Sequence, residues 1–291
     1  MVPSAHLRSL RARVPDIRLF APRVALAVTT DNGSIITDPS GELPTSDLEL
    51  GSDAWATSQR LLVDRDLPAD LPLRLHAVHT GPAWFESHPE VGALQPIWVV
   101  VAAMLPQGTK HRLLERPPHE LPLVHPTQSA SEPRHTVSTG GAYIQSIRER
   151  IGHDRIFYPW AGAVVRTDHR LLLVRDGSTR NWHCPGGGME IGETPPETIS
   201  RELDEETGLS VSAGPLLGCW TDRHLTYPNG DKAQVLSLLL RSTVVGGKEA
   251  DDRTGEIDKR GWFLPGALPP LQPPWDRRVH LAWGSGEPTL T

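Results

Sequence analysis

Across residues 187–209 the chain sets Glu193, Arg201, Glu202, Glu205 and Glu206 at offsets that a helix would gather into one chemical group. Glu202 and Glu206 lie four residues apart, with Glu205 between them on the same flank. Three carboxylates packed so closely repel one another and are costly unless cations neutralise them. A hard divalent ion bound through oxygens resolves that cost and suits a phosphorylated ligand, with Mg2+ the first expectation and Mn2+ its substitute. A solvated acidic face would account for the bare Glu-x-x-Glu-Glu spacing. It would not account for the glycine-rich entry, Glu193 and the Arg201-Glu202 pair at set distances around it.

The elements that must position these groups are marked in the sequence. Thr194 is a good N-cap, Pro195 suits the first helical position, and Glu197 completes a capping box. Gly208 stands where a terminal glycine ends a helix, and Ile199 and Leu203 supply an apolar seam. Residues 182–185 read as a short strand entering Gly186-Gly187-Gly188.

The whole pattern is G-x5-E-x7-R-E-U-x-E-E-x-G-U, U being a bulky apolar residue, without a departure. It resembles the Nudix box of the MutT-like pyrophosphohydrolases. The resemblance implies an α+β fold, the α/β/α Nudix sandwich of mixed sheets flanked by helices. It assigns metal binding to Glu202, Glu205 and Glu206, with the backbone carbonyl of Gly186 as a further ligand. It makes Arg201 and Glu193 the pair that holds the loop and the glutamates in place. These five charged residues form the expected catalytic set, and spacing does not say which glutamate is the general base. A further metal-binding acid is expected at Glu256, six residues before Trp262, with Glu249, Asp251 and Asp252 competing for the role. Substrate contacts are expected from Gly187 and Gly188 and from the aromatic rings of Trp182 and Tyr227, for which core or turn packing is the alternative. Tyr227 opens a Tyr-Pro-Asn-Gly-Asp hairpin turn, and His183 and Cys184 alternate along a strand without reading as ligands.

At 291 residues the chain is long enough for two domains, each with its own core. A net charge of -6 leaves no basic footprint for nucleic acid. Cys184 and Cys219 are the only cysteines and lack a C-x-x-C spacing, which points to a reduced, cytoplasmic protein without a zinc knuckle, with a single bridge between the two as the alternative. The arginine-bearing N-terminus has no apolar stretch of the secretory type. The apolar run 97–105 is about half of a membrane span and reads as a buried strand.

An internal repeat emerges at a shift of 141 residues. Pro44, Glu49, Gly51, Thr57, Arg60 and Leu62 fall on Pro185, Glu190, Gly192, Thr198, Arg201 and Leu203. At the positions of Glu193, Glu202, Glu205 and Glu206 the first copy carries Ser52, Leu61, Asp64 and Arg65, which cannot replace the acid cluster. The expected organisation is a degenerate, non-catalytic Nudix-like domain over 1–127, a small polar linker over 128–141 and a catalytic Nudix domain over 142–291. The first domain would serve packing, homodimer formation or cover for the second site. Helices are expected at 53–63, 142–151 and 274–283, and strands at 23–30, 34–37, 73–79, 96–104, 159–167, 171–175, 209–221, 232–241 and 260–264.

The leading expectation is Mg2+-dependent cleavage of a nucleoside diphosphate linked to X, giving a nucleoside monophosphate and phospho-X. The partners are then small nucleotide diphosphates, with neither nucleic acid nor membrane. The alternative is a nucleoside triphosphate pyrophosphatase. NADH pyrophosphatase is disfavoured by the missing zinc cysteines and missing S-Q-P-W-P-F-P-x-S signature. A ligand-sensing regulator is disfavoured by the intact box, and a diphosphate isomerase by the setting of Cys184.

Overall fold

The structure is a computed structural model that describes residues 3–111, 113–116, 142–167, 169–271, 278–279 and 289–290. The first half runs α1 (Ala5–Arg13), β1 (Leu19–Thr29), β2 (Ile35–Thr37), β3 (Thr45–Asp47), α2 (Ala54–Val63), β4 (Arg74–His79), β5 (Glu86–His88), β6 (Gly92–Met104) and β7 (Leu114–Arg116). The second runs α3 (Ala142–Ile151), β8 (Ile156–Thr167), β9 (Arg170–Asp176), β10 (Trp182–His183), β11 (Gly186–Gly188), α4 (Pro195–Thr207), β12 (Leu209–Thr226), β13 (Lys232–Gly247), β14 (Ile257–Phe263) and β15 (Thr289–Leu290). The expected linker 128–141 lies outside the described residues. Of the expected helix at 274–283 only Arg278 and Val279 are described, and they are helical.

Each half builds a mixed sheet on the same plan, so the α+β class read from the sequence is what is found. In the first, β1 runs parallel to β6 and antiparallel to β2 and β3, and β4 closes on β6. In the second, β8 runs parallel to β13 and antiparallel to β9 and β11, and β12 closes on β13. The parallel pairs are the apolar runs, as expected of strands buried on both faces. Corresponding rungs can be matched residue by residue. Arg23 pairs with Asp47 and Trp98 in one sheet, and Trp160 pairs with Gly188 and Ser237 in the other. The shift of 141 therefore holds only from the turn into the helix. The flanking strands follow shifts of 137 and 139 because the connecting loops differ in length.

One continuous core joins the halves. Leu7 and Leu10 of α1 and Tyr143, Ile147 and Ile151 of α3 are buried together with Leu94, Ile156 and Leu203. The polar contacts across the junction are reciprocal. Arg13 pairs with Asp154 while Arg150 pairs with Asp16. The buried side chain of Gln95 bonds the backbone of Gly192 and Glu193, and that of Gln234 bonds Gly51 and Ser52. A surface that meets its own counterpart in this way has the logic of a two-fold dimer written into one chain.

Among the described residues, no helix is long and apolar enough to cross a membrane.

Candidate active site

The helix that carries the acids forms where its local signals place it. The Glu197 carboxylate accepts from both the amide and the hydroxyl of Thr194, at 2.8 and 2.7 Å. At the other end Gly208 takes a left-handed φ of 73° and donates its amide to Asp204. Ile199 and Leu203 are fully buried on the inner face, which pins the helix across its sheet. Glu206 lies on the same inner side at 4% exposure, whereas Glu202 and Glu205 sit at the margin.

Arg201 organises that margin. Its Nε and Nη2 grip the two oxygens of Glu193 at 2.7 and 3.0 Å, and Nη2 also donates to the carbonyl of Gly188 at 2.9 Å. Its Nη1 reaches Glu202 at 2.7 Å and Glu205 at 3.3 Å. Glu193, at 1% exposure, is satisfied further by the amide of Glu190 and the hydroxyl of Thr198. The sequence reading gave all neutralisation of the cluster to a cation, and Arg201 supplies a share of it. Among the described residues, no three acid, histidine or cysteine side chains converge as a ready-made metal cage.

Glu206 is different. Its Oε2 accepts from the amide of Gly186 at 3.1 Å, and among the described residues no basic side chain pairs with it. Burial pushes its carboxyl well above the usual range, and Glu202, Asp252 and Glu256 push the same way while the Gly186 amide opposes them. Burial also raises Glu202, to about 7, against the pull of Arg201. A buried carboxylate set among other carboxylates, with oxygen donors only, has the donor chemistry of a site for a hard divalent cation. Glu202, Glu205 and Glu206 are the residues that would hold it.

Glu256 lines the same cavity as these glutamates, and partial removal from water together with Asp252, Asp176 and Glu205 raises its carboxyl. The competing loop acids are engaged elsewhere. Glu249 accepts from the Trp262 indole at 2.9 Å, Asp251 pairs with Arg260, and Asp252 caps the turn at Thr254 and Ile257.

The cavity beside the acids measures about 890 Å3. Gly187, Gly188 and Tyr227 line it, and the ring of Tyr227 meets that of Tyr158 edge-on at 6.5 Å. Trp182 is not among the lining residues. Its ring packs edge-on against Phe263 at 5.0 Å with Arg175 nearby, which is the core-packing alternative. Residues that the sequence did not single out also line the cavity: Tyr158, Trp160, Asp222, Arg223, Ser237 and Arg278. Asp222 accepts from Arg278 at 2.7 Å, so a charged pair forms part of the wall. His183 lines the cavity too, with Nδ1 against the carbonyl of Cys184 at 2.8 Å.

The corresponding rung of the first sheet is filled. Arg23 is buried there, bound to Asp47 at 3.0 Å and to Glu86 at 2.6 and 2.9 Å, with its guanidinium 5.1 Å from the Trp98 ring. Arg65, at the position of Glu206, pairs with Asp38 at 2.9 Å. Of Glu193, Glu202, Glu205 and Glu206, only Glu205 has an acid, Asp64, at its counterpart position.

Residues 158–283 match the model of the NUDIX domain. A MutT-like protein of Streptomyces ambofaciens is 35% identical over 105 residues, covering 36% of this chain and 62% of that one. An ADP-ribose pyrophosphatase of Methanocaldococcus jannaschii is 34% identical over 95 residues, covering 31% of this chain and 53% of that one. An 8-oxo-(d)GTP phosphatase of Mycolicibacterium smegmatis is 30% identical over 161 residues, covering 55% of this chain and 44% of that one. The chain thus spans between about two fifths and three fifths of the length of these relatives. The segment matched by the NUDIX domain model, residues 158–283, takes in α4 with its acid set and the cavity beside it.

Proposed function

We propose that the second half is a Mg2+-dependent hydrolase that cuts the diphosphate of a nucleoside diphosphate linked to X, releasing a nucleoside monophosphate and phospho-X. The observation that carries this reading is Glu206, a buried carboxylate that no described basic side chain balances, next to Glu202 and Glu205. A divalent ion bound there would screen the diphosphate, lower the pKa of a water and stabilise the leaving phosphate. The chain itself supplies the rest. Arg201 and Glu193 fix where Glu202 and Glu205 stand. Tyr158, Tyr227 and the Asp222–Arg278 pair give the cavity the mix of apolar faces and few polar groups expected of a small-molecule site.

The domain arrangement read from the sequence belongs to the same proposal: a first half that keeps the sheet plan without the acids, and a second half that carries the reaction. Two buried, unpaired thiols, Cys184 and Cys219, suit a reducing cytoplasm. The M. jannaschii relative's name supports a nucleoside diphosphate-X substrate, and that of the M. smegmatis relative supports a triphosphate as the second reading.

The test is incubation of the purified protein and Mg2+ with ADP-ribose, nucleotide sugars, CDP-alcohols, dinucleotides and nucleoside triphosphates, with products resolved by chromatography. A monophosphate and phospho-X from a diphosphate substrate is the expected result. Pyrophosphate from a triphosphate alone would favour the second reading, and no turnover with Mg2+ or Mn2+ would overturn both.

A further inference from the structure

We infer that the first half acts on the acid cluster of the second as a positioning partner, and that Gln95 is the residue through which it does so. The inference rests on the functional reading above for its kinetic consequences, but its geometry is independent of it. Gln95 lies in β6 and is fully buried. Its Oε1 accepts from the amide of Gly192 at 2.7 Å. Its Nε2 donates to the carbonyl of Glu193 at 2.9 Å and to the hydroxyl of Thr80 at 3.3 Å. One rigid amide therefore holds two successive peptide groups of the loop that leads into α4.

That loop has reason to need holding. Gly192 has a φ of 95°, in the left-handed region, so the turn is kept by its contacts more than by its own preference. Glu193 is the next residue, and its carboxylate grips Arg201, which in turn holds Glu202 and Glu205. A displacement of the Glu193 backbone is passed to Glu202 and Glu205 through two side chains, those of Glu193 and Arg201. A second contact from the first half bears on the same place: the backbone at Gly81 lies so close to the Thr194 methyl that a Cβ there would collide with it.

The reciprocal contact supplies an internal control. Gln234 in β13 accepts from the amide of Gly51 at 2.6 Å and donates to the carbonyl of Ser52 at 2.7 Å. It is equally buried and joins the same two halves. Its target loop ends in Ser52, where the other has Glu193, so its line of contacts leads on to Asp53 and Arg223 and not to the acid cluster. If Gln95 served only to satisfy the buried junction, removing either glutamine would have the same effect.

The experiment compares Gln95→Leu with Gln234→Leu in the full chain. Gln95→Asn and Gln234→Asn form a milder pair that keeps an amide if the leucine variants do not fold. Both members of a pair should lose similar stability, since each leaves one amide and one carbonyl of a buried loop unpaired. Only the Gln95 variants should lose kcat, by about tenfold with KM within about twofold, as a misplaced catalytic group does. Only they should weaken Mn2+ binding followed by electron paramagnetic resonance, and only they should shift the Arg201 Nε–H resonance in an arginine-labelled spectrum. Were the wild type to hydrolyse none of the tested diphosphates while the Arg201 resonance still moved in Gln95 variants alone, the functional reading would fail and the inference would stand. Equal kcat, Mn2+ binding and Arg201 resonance within each pair would overturn it.

Discussion

Arg201 holds Glu193 by both ends of its fork, Nε to Oε1 at 2.7 Å and Nη2 to Oε2 at 3.0 Å. Glu193 is almost fully buried, so the pair cannot be broken without leaving a charge in the interior. Removing one partner of such a pair costs about 3–5 kcal/mol. Arg201→Ala should lose stability of that order in denaturant unfolding, together with nearly all turnover. Arg201→Lys keeps the charge and loses the bidentate geometry, so stability should fall less while turnover drops by about 10–100-fold. A lysine variant with wild-type turnover would show that the fork does not position the acids.

The glycines that enter the helix give a sharper contrast. Gly186 has a φ of 146°, and a Cβ there would run into the backbone of Ala161 and Gly162. Gly186→Ala should therefore prevent the second half from folding, seen as loss of the cooperative transition by circular dichroism. At Gly187 a Cβ would meet the carboxylate of Glu202, the end of a side chain tied to Arg201. Gly187→Ala should fold with a Tm within a few degrees of wild type and lose metal-dependent turnover. A Gly187→Ala protein of full activity would place Glu202 outside the reaction.

His6 sets an acid limit on stability. It is partly buried, its Nε2 has no hydrogen-bond partner, and its ring meets Phe157 of the second half edge-on at 5.6 Å. Burial lowers its pKa from 6.5 to about 4. The unfolded chain then binds the proton first, so the full contribution to stability is present above pH 6.5 and is lost as pH falls from 6.5 to about 4. The loss is about 3 kcal/mol at most at 1.36 kcal/mol per unit. His6→Leu should flatten that limb of the stability profile. Urea unfolding of both proteins across pH 4–7 measures it, and parallel profiles would contradict the assignment.

Much of the site could be read from residues alone because the signals are local. Thr194, Pro195, Glu197 and Gly208 bound α4 as their types require, and the periodicity that places Glu202, Glu205 and Glu206 together is that of a helix. The halves could be matched because Gly51 and Gly192 enter corresponding helices. What escaped depends on register across long separations. β3 and β11 are three residues each, polar or all glycine, and exist as strands only because β1 and β8 pair with them. α1 escaped because its apolar residues are few among arginines, although Ser4 caps it through the amide of Leu7 at 3.1 Å. Gln95 carries no motif, and its meaning appears only when β6 meets a loop 98 positions away. Trp182 shows the opposite limit: a residue beside the box packs against Phe263 because β10 and β14 flank the same strand, β9.

On the proposed function, a cation held at Glu206 drives hydrolysis in the second half, and the first half has no counterpart. The most direct measurement is Mg2+-dependent turnover of Glu206→Gln beside Asp64→Asn, each with its unfolding curve. Glutamine keeps the shape of the buried side chain and removes the charge that burial penalises. Glu206→Gln should be at least as stable as wild type without metal and should lose turnover by about a hundredfold or more at any Mg2+ concentration. Asp64→Asn should retain turnover per folded molecule. Full Mg2+-dependent activity in Glu206→Gln, or a comparable loss in Asp64→Asn, would contradict the account.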